Sequence, residues 1–296
     1  MFAAASMPPY RGGMQPTPPD AAAIDRFLAE VAEVDGHPPL SGNKLAMIDA
    51  GSDRVGVWGD SEGICLVGVA AHHAGDGHWA VEAALASRRR GSAGEEEAIR
   101  NAAALVPDGD HHTLWAFRSR QIEAANRLGY VGGRSVLRMS APMADVVRVP
   151  SSGVSVVPMA EADVGAIVAI NNRAFADHPE QAAMTSESFD VLSRSRWFDP
   201  DGVAVARCEG GIVGFCVTKA EGSGVGEIYL LAVDPNSEGS GYGAMLASAG
   251  FEWLARRGAT TASVWVDSTN HGAIRIYRKL GLAEDFRNRE MTPATG

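Results

Sequence analysis

Glu238-Gly239-Ser240-Gly241-Tyr242-Gly243-Ala244 follows closely on the apolar run Ile228-Tyr229-Leu230-Leu231-Ala232-Val233 and opens a helical pattern. A strand, a glycine turn and a helix start together make a cradle for an anion, because the first amides of a helix lack partners and its dipole presents positive charge there. Gly239, Gly241 and Gly243 let the backbone come close to a bulky anion such as a pyrophosphate. Glycine spacing alone is equally compatible with a tight turn. A second loop, Arg88-Arg89-Arg90-Gly91-Ser92-Ala93, holds the matching place in the first half. Downstream of it Leu114-Trp115 leads to Leu128-Gly129, just as Val264-Trp265 leads to Leu280-Gly281. The sequence reads as one α/β fold, a mixed sheet with a few helices, built twice in tandem.

The remaining pattern agrees with two halves of ordinary domain size within 296 residues. Residues 1–19, rich in Met, Pro and Gly, read as a disordered tail. Residues 20–142 form the first domain, 143–152 a linker with Pro150 and Ser151-Ser152, and 153–296 the second domain. In the first half, Ile24, Phe27, Leu28 and Val31 share a helical face, and strands are expected near Lys44 to Ile48, Arg54 to Trp58, Ile64 to Ala71, Trp79 to Leu85 and Thr113 to Phe117. In the second half, Val203 to Cys208 and Ile212 to Lys219 read as a hairpin, with a turn at Gly210-Gly211 that sets Cys216 opposite Val205. Gly226 to Val233 reads as a buried strand, and Ala244 to Arg257 as a helix stopped by Gly258.

Composition narrows the function classes. With 46% apolar and 21% charged residues the chain reads as globular, and a formal charge of −10 disfavours a nonspecific grip on nucleic acid or on anionic membrane. No apolar run is long enough to span a bilayer and no secretion-signal pattern opens the chain, so a cytoplasmic monomer acting on a small molecule is expected. The three cysteines have neither metal-ligand nor disulfide spacing, and Cys65 reads as a buried thiol. His72-His73 and His111-His112 lack nearby ligands at metal spacing, so no metal is expected.

Glu227 interrupts an otherwise apolar strand, and strict alternation places it on one face with Val225, Tyr229, Leu231 and Val233. An acid among apolar neighbours has a raised proton affinity and suits a general base, although an edge position in solvent or a pairing with an arginine such as Arg207 explains it as well. Tyr277 shares a helical stripe with Ala273, Ile274 and Leu280; it is either a core residue or a proton donor to a departing thiolate. Aligning the two glycine loops and the two Leu-Gly pairs sets Gly77 opposite Glu227 and Ala125 opposite Tyr277, so the first half lacks both candidate groups. Asp35, Glu180 and Lys219 alone read as surface charges, and Trp265 as a filler between sheet and helix.

Together these pieces resemble the GCN5-related N-acetyltransferase superfamily. Within it the tandem order and the runs Asp35-Gly-His-Pro-Pro-Leu-Ser, Leu114-Trp-Ala, Asn171-Asn-Arg-Ala-Phe, His178-Pro-Glu-Gln, Trp197-Phe-Asp-Pro, Gly226-Glu-Ile-Tyr-Leu-Leu-Ala-Val-Asp-Pro and Ala255-Arg-Arg-Gly look like the mycothiol synthase family. The resemblance implies acetyl-CoA as acyl donor and the cysteinyl amine of a cysteinyl-glucosaminyl-inositol as acceptor, with another small-molecule amine or a silent acyl-CoA-binding protein as alternatives. It also implies Glu227 as base and Tyr277 as acid. Backbone groups of Leu231, Ala232 and Val233 would align pantetheine, Glu238 to Ala244 would surround the pyrophosphate, and Asn270, Ala273 and Arg275 would complete the cofactor wall. Arg88 to Ala93 would form a second, noncatalytic CoA loop, and Asp35, Glu180, Lys219, Glu227 and Trp265 would contact the acceptor. The chain departs from the family pattern at Glu238, Ser240, Cys216-Val217 and Trp265, and in its ending Asp285-Phe-Arg-Asn-Arg-Glu-Met.

Overall fold

The computed structural model describes residues 21–35, 39–49, 55–59, 66–72, 77–176, 184–220 and 224–294. The expected tail, Cys65 and Glu180 lie outside the described residues. The chain divides into two compact units: one runs to Ser135 and resumes at Asn288, and the other is Val136–Arg287. The division therefore does not fall at 143–152. Met143 donates its amide to Thr260 O at 2.8 Å, Val147 to Leu280 O at 3.0 Å and Val149 to Ser248 Oγ at 2.8 Å, which pins that segment onto the second unit.

In the first unit, helices α1 (Ala21–Asp35) and α2 (Gly42–Asp49) precede strands β1 (Val55–Gly59), β2 (Leu66–His72) and β3 (His78–Leu85). Helix α3 (Ser92–Ala103), strand β4 (His111–Ala116), helix α4 (Ser119–Arg127) and the start of β5 (Tyr130–Pro142) follow. Strands β1 to β3 are antiparallel, and β3 runs parallel to β4. The predicted stripe of α1 is buried with Leu40, Ile48, Ala84 and Ala86. On the second core, α3 and α4 lay Ala98, Ile99, Ala124 and Ala125 against Val81, Leu85 and Leu114. Lys44 to Ile48 is helical rather than a strand. Leu40, Lys44 and Ile48 recur every four residues and all are buried, so the apolar period that matters is helical. Lys44 is admitted because its ammonium lies 3.7 Å from the buried carboxylate of Glu82, which also accepts from Ser41 N at 2.7 Å.

The second unit contains the end of β5, β6 (Ser155–Pro158), α5 (Val164–Ala174), α6 (Ser186–Ser193), β7 (Val203–Cys208), β8 (Gly211–Ala220), β9 (Val225–Val233), α7 (Tyr242–Arg256), β10 (Thr261–Asp267) and α8 (His271–Lys279). Strand β11 (Ala283–Pro293) begins in this unit, and its residues Arg289–Met291 pair with Ala116–Leu114 of β4 in the first. The sheet order is β6-β7-β8-β9-β10-β5-β11; strands β6 to β9 and the β10–β5 pair are antiparallel, and β9 runs parallel to β10. The hairpin turn sits one residue earlier than expected: Cys208 pairs with Gly211, a bulge follows at Ala206/Arg207, and Cys216 faces Ala204. Cys216 is buried and Cys208 exposed, both as free thiols.

Helices α5 and α6 cover one face, and α7 and α8 the other. Helix α7 lies close on the sheet because Gly250 stands over Cys216, where a Cβ would meet Sγ at 2.9 Å. Phe251, 1% exposed, fills the layer beside it. Phe251→Ala is expected to lower unfolding stability by about 3–5 kcal/mol, read from the urea midpoint of purified protein, through lost burial and the cavity left behind.

Candidate active site

Strands β9 and β10 are joined only from Val225↔Thr261 to Ile228↔Val264. Past that point the ladder stops: Tyr229–Val233 no longer pairs with β10, and Trp265–Asp267 keeps only its pairing with β5. At the same level the β8–β9 register slips, with Val217 facing Leu230 and Thr218 facing Ile228, so Tyr229 is the extra residue of a bulge. The bulge overturns the strict alternation expected for this strand. Leu231 and Val233 lie beside α7, 3.9 and 3.8 Å from where a Cβ on Gly243 would be. Tyr229 packs instead with Leu230 and Ala232 in the core under α5.

Glu227 sits half-buried on β9, between β8 and β10, so an edge-strand acid is ruled out. Arg207 is held by Asp163 at 2.5 Å, which removes it as the proposed partner. Directly across the ladder from Glu227 stands Lys219, itself buried at 4%. The Lys219 ammonium lies 5.7 Å from the Trp197 ring, and Trp197 packs on Tyr229 at 4.7 Å between centroids. Burial, and next the charge of Glu227, push the Tyr229 phenol well above the usual range, so it is neutral here. Sequence reasoning missed Trp197 as a site residue. Its signal was the aromatic pair Trp197-Phe198, held edge-on to Phe189 through Phe198.

Past β9, Asp234 accepts from Asn236 N at 3.0 Å and pairs with Arg173 at 2.5 Å; these bonds hold its carboxyl below the usual range and fix the start of the loop. Gly239 and Gly241 have φ of +80° and +81°, a conformation costly for any other residue. Gly241 caps α7 without a side chain; Ala244 N donates to Gly241 O at 3.1 Å, and the Tyr242 and Gly243 amides of the first turn receive no side-chain cap. Gly243 leaves room for Ile276, whose Cδ1 a Cβ there would meet at 2.9 Å. Glu238 and Ser240 are exposed on the same loop. On α8, Asn270 Oδ1 accepts from Ala273 N at 3.0 Å, so its side chain holds the helix start, and Arg275 is exposed on the following turn. Tyr277 is 5% exposed, and burial followed by the neighbouring Cys216 push its phenol far above the ordinary value. Its hydroxyl has no hydrogen-bond partner among the described residues. Trp265 meets Phe286 edge-on at 5.9 Å.

Residues 167–282 match the acetyltransferase (GNAT) family. The chain is 34% identical over 287 residues to mycothiol acetyltransferase of Tsukamurella paurometabola, covering 91% of this chain and 94% of that one. It is also 34% identical over 281 residues to mycothiol acetyltransferase of Streptomyces avermitilis, covering 90% and 89%. The chain belongs to the mycothiol acetyltransferase family. Solved structures carry the same fold: a GCN5-related N-acetyltransferase from Sphaerobacter thermophilus (TM-score 0.65, 22% identity, 93% of each chain) and a tandem GNAT protein from the clavulanic acid biosynthesis pathway (TM-score 0.67, 15% identity, 92% and 93%). As a member of the mycothiol acetyltransferase family the chain is an N-acetyltransferase of tandem GNAT architecture.

The first unit of this mycothiol acetyltransferase relative holds its counterpart loop differently. Arg88 and Arg89 form a short turn, Gly91 precedes α3, and Ser92 and Ala93 open that helix. Arg89 pairs with Glu97 at 3.3 Å. Arg90 is clasped by both carboxylate oxygens of Asp35, at 2.6 and 3.0 Å, and donates Nε to Leu85 O at 3.0 Å. Asp35, expected at the acceptor, is therefore committed to Arg90, with its side chain only 5% exposed. Strand pairing also corrects the expected correspondence between the halves. Leu114 pairs with Val81 as Val264 pairs with Ile228, so Ala80, not Gly77, stands opposite Glu227.

Proposed function

We propose that the second unit transfers the acetyl group of acetyl-CoA to the cysteinyl amine of a cysteinyl-glucosaminyl-inositol. The observation that carries this reading is the placement of Glu227 and Lys219 face to face across β8 and β9, beside the bulge where β9 leaves β10. Glu227 takes a proton from the ammonium, directly or through water, and the freed nitrogen lone pair attacks the thioester carbonyl. A C–N bond forms, Glu227 passes its first proton to water and takes the second that the nitrogen sheds as the adduct collapses, and the C–S bond breaks. Tyr277 donates its phenolic proton to the departing sulfur and regains one from water, so that one proton is released per turnover. The backbone of Leu231 to Val233, loosened from β10, offers amides to pantetheine. Glu238 to Ala244, with Gly239 and Gly241 in left-handed conformation, receives the pyrophosphate at the start of α7, and Asn270, Ala273 and Arg275 close the wall.

Lys219 and Trp265 provide the acceptor wall, and Glu180 is assigned there from its motif alone. Cys216 and Val217, which depart from the family pattern, are both fully buried, the first under Gly250 and the second in the core of α5. Their exchange alters packing rather than the acceptor surface, which favours the mycothiol precursor over another amine. The direct test incubates the protein with acetyl-CoA and the cysteinyl pseudodisaccharide and separates CoA and N-acetylated product by chromatography. Acetylation of other amines with none of this one would reject the acceptor.

Glu238 places a negative charge beside the loop assigned to the pyrophosphate. Glu238→Gln is expected to lower the KM for acetyl-CoA by about twofold at low salt, with the difference fading as ionic strength rises. An unchanged KM at low salt would place Glu238 away from the phosphates.

A further inference from the structure

Strands β3 and β4 repeat the parallel pair of β9 and β10, and their ladder runs from His78↔His111 to Glu82↔Trp115. Immediately beyond it, at the level where the ladder of the second unit stops, the first unit places Gln121. This side chain is wholly buried. Its Oε1 accepts from Phe117 N at 2.8 Å and its Nε2 donates to Ala83 O at 3.1 Å, so one amide bridges the two parting strands. Those backbone groups are the ones an entering amide ligand would pair with, and Gln121 supplies both halves of that pairing itself. The matching position in the second unit, set by the helix starts Ser119 and His271 and by the Leu128-Gly129 and Leu280-Gly281 pairs, is Ala273, which has no side-chain amide with which to bridge the strands.

The other end of the same groove is closed as well. Arg90, the loop cation nearest the start of α3, is neutralised by Asp35. Arg118 bridges Asp35 at 3.4 Å and Glu95 at 3.3 Å, and Glu95 is a buried acid in the first turn of α3. Two carboxylates of the chain itself therefore stand where an incoming pyrophosphate would need positive charge.

We propose that the first unit is a cofactor groove filled by its own side chains, with Gln121 in place of a pantetheine amide and Asp35 in place of a phosphate, so that the chain takes up acetyl-CoA through the second unit alone. This replaces the expectation of a second CoA loop at Arg88 to Ala93, and it rests on the acetyl-CoA reading of the second unit. A pantetheine arm could enter only by stripping a buried side-chain amide of two hydrogen bonds and by displacing a two-arginine, two-carboxylate cluster.

The test is amide hydrogen exchange on the full chain with and without saturating acetyl-CoA, paired with calorimetric stoichiometry. Slowing by about tenfold or more at Gly239 to Ala244 is expected, with no change at Phe117 or at Arg88 to Ala93, and with one equivalent bound. Slowing at Phe117 and at Arg88 to Ala93 together with a second equivalent would overturn the inference while leaving the second-unit site intact. Slowing in neither region would overturn the acetyl-CoA reading of the second unit and the inference with it.

Discussion

Glu227→Gln is expected to lower kcat by about 10²–10³-fold at neutral pH, with KM for acetyl-CoA little changed. The substitution keeps the size and planarity of the side chain on β9, so the ladder with β8 and the packing of Tyr229 against Trp197 should persist. What it removes is the proton acceptor. An α-amino group has a pKa of about 8, so at neutral pH most of the acceptor is ammonium and carries no lone pair. With the carboxylate present, deprotonation occurs within the complex. Without it, the rate depends on the fraction of amine already free in solution, about a tenth at neutral pH, and the proton shed by the attacking nitrogen has no carboxylate to receive it, which supplies the remaining loss. The variant's rate should therefore climb about tenfold per pH unit up to about pH 8 and then level, narrowing its deficit relative to the parent protein as pH rises. Initial rates from pH 6 to 9.5, with melting curves to confirm folding, check both points. Undiminished turnover in the variant would remove Glu227 as the base and leave it as a contact for the acceptor.

How much of this site could be read from sequence depended on whether a residue's role was local. Gly239 and Gly241 were legible because a left-handed turn before a helix calls for glycine whatever surrounds it. Glu227 stood out in the sequence because an acid in an apolar strand is costly and calls for a reason, and its half-buried place across from Lys219 agrees with that cost. The bulge at Tyr229 was not, since it exists only in the register between two strands, and no period within β9 encodes it. Strands β5 and β11 escaped for a different reason. Parts of them are held by pairs such as Arg134–Glu290 at 2.5 Å and Arg138–Asp285 at 2.9 Å, so they lack the apolar alternation that marks a strand. The domain boundary was misplaced as a consequence. Asp35 and Arg90 lie 55 residues apart in sequence, and each looked like a ligand contact until the fold brought them together. Gln121 gave no signal at all, because a glutamine near a helix start is unremarkable until the strands beside it part.

Tyr277→Phe is expected to reduce kcat by about 10–100-fold while leaving both KM values and the melting temperature nearly unchanged. The predicted stability follows from the hydroxyl's surroundings. It has no partner among the described residues, so its removal breaks no internal hydrogen bond and leaves the ring packed with Ile274 and Leu280. The predicted loss of rate follows from what the hydroxyl would otherwise do. A thiolate leaves a collapsing tetrahedral adduct more readily when it is protonated as it departs. Thiols are acidic enough that the benefit stays near the lower end of the range for general acids. The sign of the pH effect distinguishes this role from a packing role. An ordinary tyrosine is half ionised at about pH 10 and would stop donating there. Burial holds the Tyr277 phenol protonated well beyond that, so the parent protein's kcat should show no alkaline limb up to pH 10. The ratio of parent to Phe-variant kcat should then be constant from pH 7 to 10. A ratio that falls towards unity with a midpoint near pH 10 would mean that an exposed, unshifted phenol is responsible. A ratio of unity throughout would make Tyr277 a core residue and assign the departing sulfur's proton to solvent.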